Sequence, residues 1–165
     1  MAVTSAINRL NLLALPSLDL RRNRGWGAVD GLPNAPGCYC IVAYLAPKRS
    51  HHLAIEERRT VARYAHRLMG NSLVKLARGI DAGIPQAQIL YLGYSKDLHA
   101  RWNSKPHHKA QDLQHVVRVL ASLFELVGLR IHFFTCPSGE DANALEKALI
   151  KRWQPCLNGM GAIVG

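Results

Sequence analysis

Three short apolar runs set the frame for this chain. Residues 38–45, 88–93 and 129–135 are each of strand length and rich in β-branched and aromatic side chains. Turn residues bound them: Pro33-Asn34-Ala35-Pro36-Gly37 before the first, Gly83-Ile84-Pro85 ahead of the second and Gly128 before the third. Between and after these runs the apolar spacing changes to a helical period. Over residues 109–127, Leu113, Val116, Val117, Leu120, Phe124 and Val127 fall on one stripe, which predicts an amphipathic helix stopped by Gly128. Residues 97–102 predict a short helix. Ser138-Gly139-Glu140-Asp141 resembles a capping box opening a helix over 140–153, ended by Pro155. Residues 53–78 also carry helical spacing, through Val61, Tyr64, Ala65, Leu68, Leu73 and Leu76, with a break at Gly70-Asn71. The order β, inserted helices, β, α, α, β, α predicts a small α/β (α+β) domain. Its sheet is expected to be three-stranded, mainly antiparallel and flanked by helices.

The 165 residues support one domain around a single core. With 48% hydrophobic and 19% charged residues the chain is globular in composition, not disordered. No apolar run reaches the roughly 18–20 residues of a membrane helix, so a soluble protein is expected. The apolar stretch at 10–15 is short, broken by Asn11, ended by Pro16 and without an A-x-A-like cleavage site. It reads as part of an N-terminal arm over residues 1–35. Cys38, Cys40, Cys136 and Cys156 include no C-x-x-C pair, so structural zinc is not expected. Cys38 and Cys40 share one face of a strand and read as small buried hydrophobes, and a reducing cytoplasm fits.

Lys and Arg outnumber Asp and Glu by 21 to 11, a net charge of +10. Residues 47–88 hold eight basic against three acidic residues, half of the surplus. Such a balance points to an anionic partner, nucleic acid or an anionic membrane surface. Within that segment Arg59, Arg63 and Arg67 recur at helical spacing. They form either a face that lies along DNA phosphates or an ordinary solvated face. His51-His52 has no cysteine or carboxylate at ligand spacing and reads as exposed loop.

Four further features carry chemistry. Gly37-Cys38-Tyr39 begins the first strand. Tyr91-Leu92-Gly93-x-Ser95-x-x-Leu98-x-x-Arg101 follows from the second. Glu146 lies within the last helix, and Pro155-x-Leu157-Asn158 follows it. As an ordered set these resemble the GIY-YIG nuclease family, over residues 36–46 and 89–159. Cys38 stands for the isoleucine of the first tripeptide, and Leu92 for that of the second. The family's two strands form a hairpin with a short loop, whereas 51 residues separate Tyr39 from Tyr91 here. The resemblance therefore implies a core at 36–159, a helical insertion at 47–88 and a tail at 160–165. Loop-closure entropy grows only slowly with length, so a hairpin tolerates this.

The resemblance implies a metal-dependent DNA endonuclease. Glu146 would hold Mg2+ or Mn2+, Tyr39 would position or deprotonate a water, Tyr91 would hydrogen-bond around the phosphate, and Arg101 would bind it. No other small-molecule cofactor is implied, and a homodimer would suit double-strand cutting. The residues agree on their own terms. Phosphodiester hydrolysis needs a held water and positive charge on the phosphoryl oxygens. Arginine stays charged and grips phosphate bidentately. Glu146 sits three before Leu149, four before Ile150 and four after Ala142, on or beside the apolar stripe. A carboxylate there is costly unless paired or metal-bound. Mg2+ accepts one or two carboxylates and keeps its waters. A phenol titrates near 10, but Arg101 and a metal would lower that value.

Plainer readings stand beside these: a surface arginine, a rim glutamate paired with Lys147, Lys151 or Arg152, and half-buried strand tyrosines. His107 and His108 serve proton transfer, contact phosphate between Lys105 and Lys109, or lie free in a loop. Asn158 either hydrogen-bonds a metal water or caps the fold. Ser95 and Leu98 read as turn and packing residues. A binding module on the same fold, without catalysis, is the alternative to the nuclease.

Overall fold

The computed structural model describes residues 15–20, 29–47, 59, 63, 86–103, 110–155, 157 and 158. Strand β2 (Gly37–Ala46) is apolar on both faces and almost wholly buried. That pattern belongs to a strand covered on two sides. It pairs antiparallel with β3 (Gln86–Ser95) on one edge and with β4 (Glu125–Thr135) on the other. A short strand β1 (Ser17–Asp19) pairs with the far edge of β4, giving the order β1-β4-β2-β3.

The sheet thus has four strands among the described residues, not the expected three. The fourth comes from the segment read as an arm. Three residues are too few to show a period, and backbone bonds to β4 create the strand. Phe133 N–H donates to the Pro16 carbonyl at 3.1 Å, and Leu20 N–H to that of Leu129 at 2.9 Å. The Arg130 guanidinium adds a bond to Ser17 Oγ at 2.7 Å.

Helix α1 (Leu98–Asn103), α2 (Ala110–Leu123) and α3 (Gly139–Trp153) are where the helical spacing put them, with one correction. The helix expected over 109–127 stops at Leu123, and β4 begins at Glu125. Gly128 is not a stop signal; it sits within β4 opposite Tyr44. The register with β2 shifts between Tyr44 and Leu45, leaving Val127 as an extra, bulged residue that is 62% exposed. Pairing along the whole of β2 outweighs the local helical period.

The two faces of the sheet carry separate cores. Tyr39, Ile41, Ala43 and Leu45 pack with Leu98 and Trp102 of α1 and with Leu113, Val116 and Leu120 of α2. Cys40, Val42 and Leu92 pack against Leu149 of α3, with Leu145, Ala148 and Trp153 around it. Cys38 and Cys40 are buried, as their small apolar character suggests; Cys136 is partly exposed. Helix α3 is capped at both ends. Ser138 Oγ accepts the Asp141 N–H at 3.1 Å and donates to its carboxylate at 2.8 Å. Gln154, in the left-handed region at φ 46°, closes the other end through its N–H to the Ile150 carbonyl. Among the described residues no helix is long and apolar enough to cross a membrane.

His132 of β4 is buried, with Nε2 2.7 Å from Tyr44 Oη and Nδ1 3.3 Å from the Leu15 carbonyl. Burial holds its pKa below the ordinary value; the Leu15 carbonyl opposes this and the Arg130 charge adds to it. The neutral ring donates from Nδ1 and accepts from the tyrosine. The unfolded chain then binds a proton that the folded chain refuses, so stability falls as pH drops below about 6.5. Thermal unfolding from pH 8 to 5 should show this loss, and His132→Gln should flatten it.

Candidate active site

Tyr39 is carried on the face of β2 that meets α1 and α2, and the residue opposite it on β3 is Gly93. A Cβ at Gly93 would come within 2.5 Å of Tyr39 Oη and 2.6 Å of Cζ, so only glycine leaves the phenol its place. Tyr91 lies opposite Ile41, diagonal to Tyr39 on the same face, with ring centroids 6.1 Å apart. A bulge sets this position. Ile41 pairs with Tyr91 but Val42 pairs with Ile89, so Leu90 is the extra residue. Leu90 and Tyr91 both join the Tyr39 core, while Ile89 faces α3. Trp102 meets Tyr39 edge-on, with centroids 5.3 Å apart.

Arg101 is delivered by a tightly specified turn. Ser95 Oγ donates to the Asp97 carbonyl at 2.7 Å and accepts the Asp97 N–H at 3.1 Å. Asp97 Oδ1 then accepts the Ala100 N–H at 2.9 Å. Leu98 and His99 donate their N–H groups to the carbonyls of Ala35 and Pro33, tying α1 to the proline turn before β2. Leu98 and Trp102 point into the core, which confirms Leu98 as packing and Ser95 as turn chemistry. Arg101, partly exposed between them, hydrogen-bonds the Tyr39 phenol.

Glu146 reaches the site from the other layer. Its neighbours one turn away, Ala142 and Leu149, are buried, and Glu146 itself is half-buried. Cys38 Sγ donates to the Ala142 carbonyl at 3.1 Å and pins α3 to the start of β2. Tyr39, Tyr91, Gly93, Tyr94, Ser95, Lys96, Arg101 and Glu146 line one open cavity of about 470 Å³. It lies at β3, the edge of the sheet, with one lining residue from α1 and one from α3.

Burial dominates the electrostatics. It pushes the Tyr39 phenol well above its ordinary value, with Tyr91 adding to this; Arg101 opposes through charge and a hydrogen bond, and Glu146 raises it further. Tyr91 is raised by burial and then by Glu146, against Arg101 and a hydrogen bond from Tyr39. The expected lowering by Arg101 is therefore outweighed by the loss of water around both rings. The Glu146 carboxyl is also raised by burial, with Lys147 opposing.

Among the described residues no three His, Cys, Asp or Glu side chains form a metal-holding group. A dedicated protein cage is not present there. A half-buried carboxylate in an open, roomy cavity does fit Mg2+, which takes one or two carboxylates and completes its shell with water and substrate oxygens.

Asn158 is outside the cavity lining. Its Oδ1 accepts the Leu92 N–H and its Nδ2 donates to the Leu92 carbonyl, both at 2.8 Å. Leu157 N–H adds a bond to the Leu90 carbonyl at 2.9 Å. Of its two readings, the geometry matches a cap on the outer edge of β3. Asn158→Asp keeps an acceptor but sets a carboxylate against the Leu92 carbonyl. It should destabilise the fold by about 1–3 kcal/mol, for the buried group left unpaired, and so lower the unfolding midpoint. A metal-water role would instead leave stability unchanged and tighten divalent binding, which calorimetry would register.

Arg59 and Arg63 occupy exposed helical positions. Arg67, Lys105, His107, His108 and Lys109 lie outside the described residues, as do most of the 47–88 insertion and Cys156. Tyr94 and Lys96 line the cavity although the motif spacing did not single them out. Strand alternation was the available signal, since it turns residue 94 to the side of β3 opposite Tyr91 and Gly93. Comparison with protein-family models, with curated proteins and with solved structures finds no match.

Proposed function

We propose that the protein is a divalent-metal-dependent DNA endonuclease of GIY-YIG type, hydrolysing a phosphodiester bond in the cavity beside β3. One observation carries this reading. Tyr39, Tyr91, Arg101 and Glu146, from four different elements and both layers, converge on one cavity with a half-buried carboxylate. Arg101 grips the phosphoryl oxygens through its guanidinium and, in the free protein, holds the Tyr39 hydroxyl in place. Tyr39 orients the attacking water through its phenol; its raised pKa favours this role over that of a base. Tyr91 shares a hydrogen bond with Tyr39 and fixes the pair. Glu146 would hold Mg2+ or Mn2+, which when bound supplies positive charge to the phosphoryl and departing oxygens. Asn158 acts indirectly, by holding the β3 backbone at Leu92, between Tyr91 and Gly93. Arg59 and Arg63, with Arg67, Lys105 and Lys109, would meet backbone phosphates, and His107 or His108 would assist proton transfer.

Nicking of supercoiled plasmid with Mg2+ or Mn2+, against an EDTA control, tests the proposal. Arg101→Ala should slow cleavage by roughly 10²–10³, the usual loss when one charge-stabilising donor is removed. If wild-type protein nicks no supercoiled, linear or single-stranded DNA with either metal, the endonuclease reading fails. Salt-sensitive binding that persists would then favour a binding module.

A further inference from the structure

The two exposed residues of the cavity lining, Tyr94 and Lys96, have no part in the hydrolysis just described. Tyr94 sits beside Gly93 and pairs with Cys38, whose thiol bonds to α3, so it belongs to the Glu146 side of β3. It is 37% exposed, against 1% for Tyr39 and 7% for Tyr91 in the same cavity. The buried rings shape the site, while this one is open to an incoming molecule. Lys96 is exposed and follows two residues later. Its stem is not loose. A Cβ on Gly139 would lie 2.8 Å from Lys96 Cγ, so the bare glycine that opens α3 lets the lysine chain lie against it.

The cavity wall therefore offers an open aromatic ring and an exposed ammonium, its stem resting on Gly139, on either side of Ser95, in the same cavity as a carboxylate suited to a metal. A nucleotide has the matching pair, a flat base and a phosphate. Stacking on a tyrosine is tolerant of base identity. It needs a base face that no neighbouring base covers, and inside a duplex both faces are covered.

We propose that Tyr94 and Lys96 form a nucleotide subsite beside the scissile bond, taking an unpaired base on Tyr94 and its phosphate on Lys96. The substrate class is then DNA with an unpaired nucleotide, such as an overhang, a flap or a single strand. This rests on the phosphodiester-cleaving reading above. The subsite would act on selection of the strand, separately from the chemistry at Arg101 and Glu146.

The test uses the full chain in EDTA and DNA carrying 2-aminopurine either in an overhang or within a perfect duplex. Wild-type protein should quench the overhang probe on binding. Tyr94→Ala should relieve the quenching and weaken overhang binding by roughly 5- to 150-fold, the range for loss of one base–aromatic stack, and Tyr94→Phe should restore both. Lys96→Ala should reduce the salt slope of single-strand binding by about 0.7, one phosphate contact. With Mg2+ added, the ratio of kcat/KM for overhang over duplex should collapse in Tyr94→Ala. Equal weakening on both DNAs, or unchanged quenching, overturns the subsite. Tighter binding of the RNA counterpart overturns the assignment to DNA. Tyr94-dependent binding without cleavage keeps the subsite and removes the endonuclease; cleavage without Tyr94 dependence does the reverse.

Discussion

Gly93→Ala is expected to slow cleavage by roughly 100-fold in a protein that still folds. The new methyl would arrive 2.5 Å from Tyr39 Oη and 2.6 Å from Cζ, well inside van der Waals contact. The ring cannot retreat freely, because Tyr91 and Trp102 flank it and only 1% of the residue is exposed. Either β3 separates from β2 at this pair or the phenol leaves Arg101. Overpacking of this kind costs about 1–3 kcal/mol, which a domain of this size survives. The catalytic penalty is larger, since a misplacement on the order of 1 Å costs roughly 100-fold in rate. A melting curve and a plasmid-nicking assay on the same preparation separate the two effects. Adding Tyr39→Phe should recover part of the lost stability and none of the activity, because it removes the atom nearest the methyl. A folded Gly93→Ala protein with full activity would refute the placement of Tyr39 at the reacting centre.

Glu146→Gln should move activity and stability in opposite directions. Burial raises the Glu146 pKa, so the folded protein holds a proton that the unfolded chain has lost between their two pKa values. Stability therefore falls as pH rises through that window, and at neutral pH the charged carboxylate remains a burden on the fold. The amide has no charge to bury and should raise the unfolding midpoint at pH 7, with little gain near pH 4. It also removes the proposed ligand, so metal-dependent nicking should fall below detection. Thermal unfolding of both proteins at the two pH values tests the stability half. A variant less stable than wild type at pH 7 would identify Glu146 as a structural ion-pair partner.

The parts of this fold that could be read from residues alone are those that a single element determines. The apolar, β-branched run at 38–45, the period of Leu113 to Leu120 and the Ser138 cap each act within one strand or helix, and each is where its pattern puts it. The misread parts depend on pairing. Phe124 and Val127 fit the helical stripe, and only the partner strand β2 draws Leu126 and Val127 into β4. Residues 17–19 become a strand because β4 offers an open edge.

The site divides in the same way. Spacing along α3 shows that Glu146 is near the apolar stripe, and the turn before α1 marks Arg101. The bulge at Leu90 that aims Tyr91, and the burial that keeps both phenols protonated, are properties of the assembled sheet. Asn158 has the chemistry for either a metal water or a cap, and its contact with Leu92 exists only once β3 is an edge.

The hairpin also works as a ruler. The cavity is at the start of β2 and the end of β3, whereas the chain leaves β2 at Ala46 and re-enters β3 at Gln86, the opposite end. Ala46 lies seven residue steps along the strand from Tyr39. At about 3.3 Å per residue, that is roughly 23 Å. Stacked base pairs rise about 3.4 Å each, so the span equals some seven steps of duplex, more than half a turn. The point at which the chain leaves β2 thus lies that far along the strand from Tyr39 and the proposed site of cleavage. The footprint would then extend to one side of the break, with lengthening or shortening of the hairpin as the means of moving it.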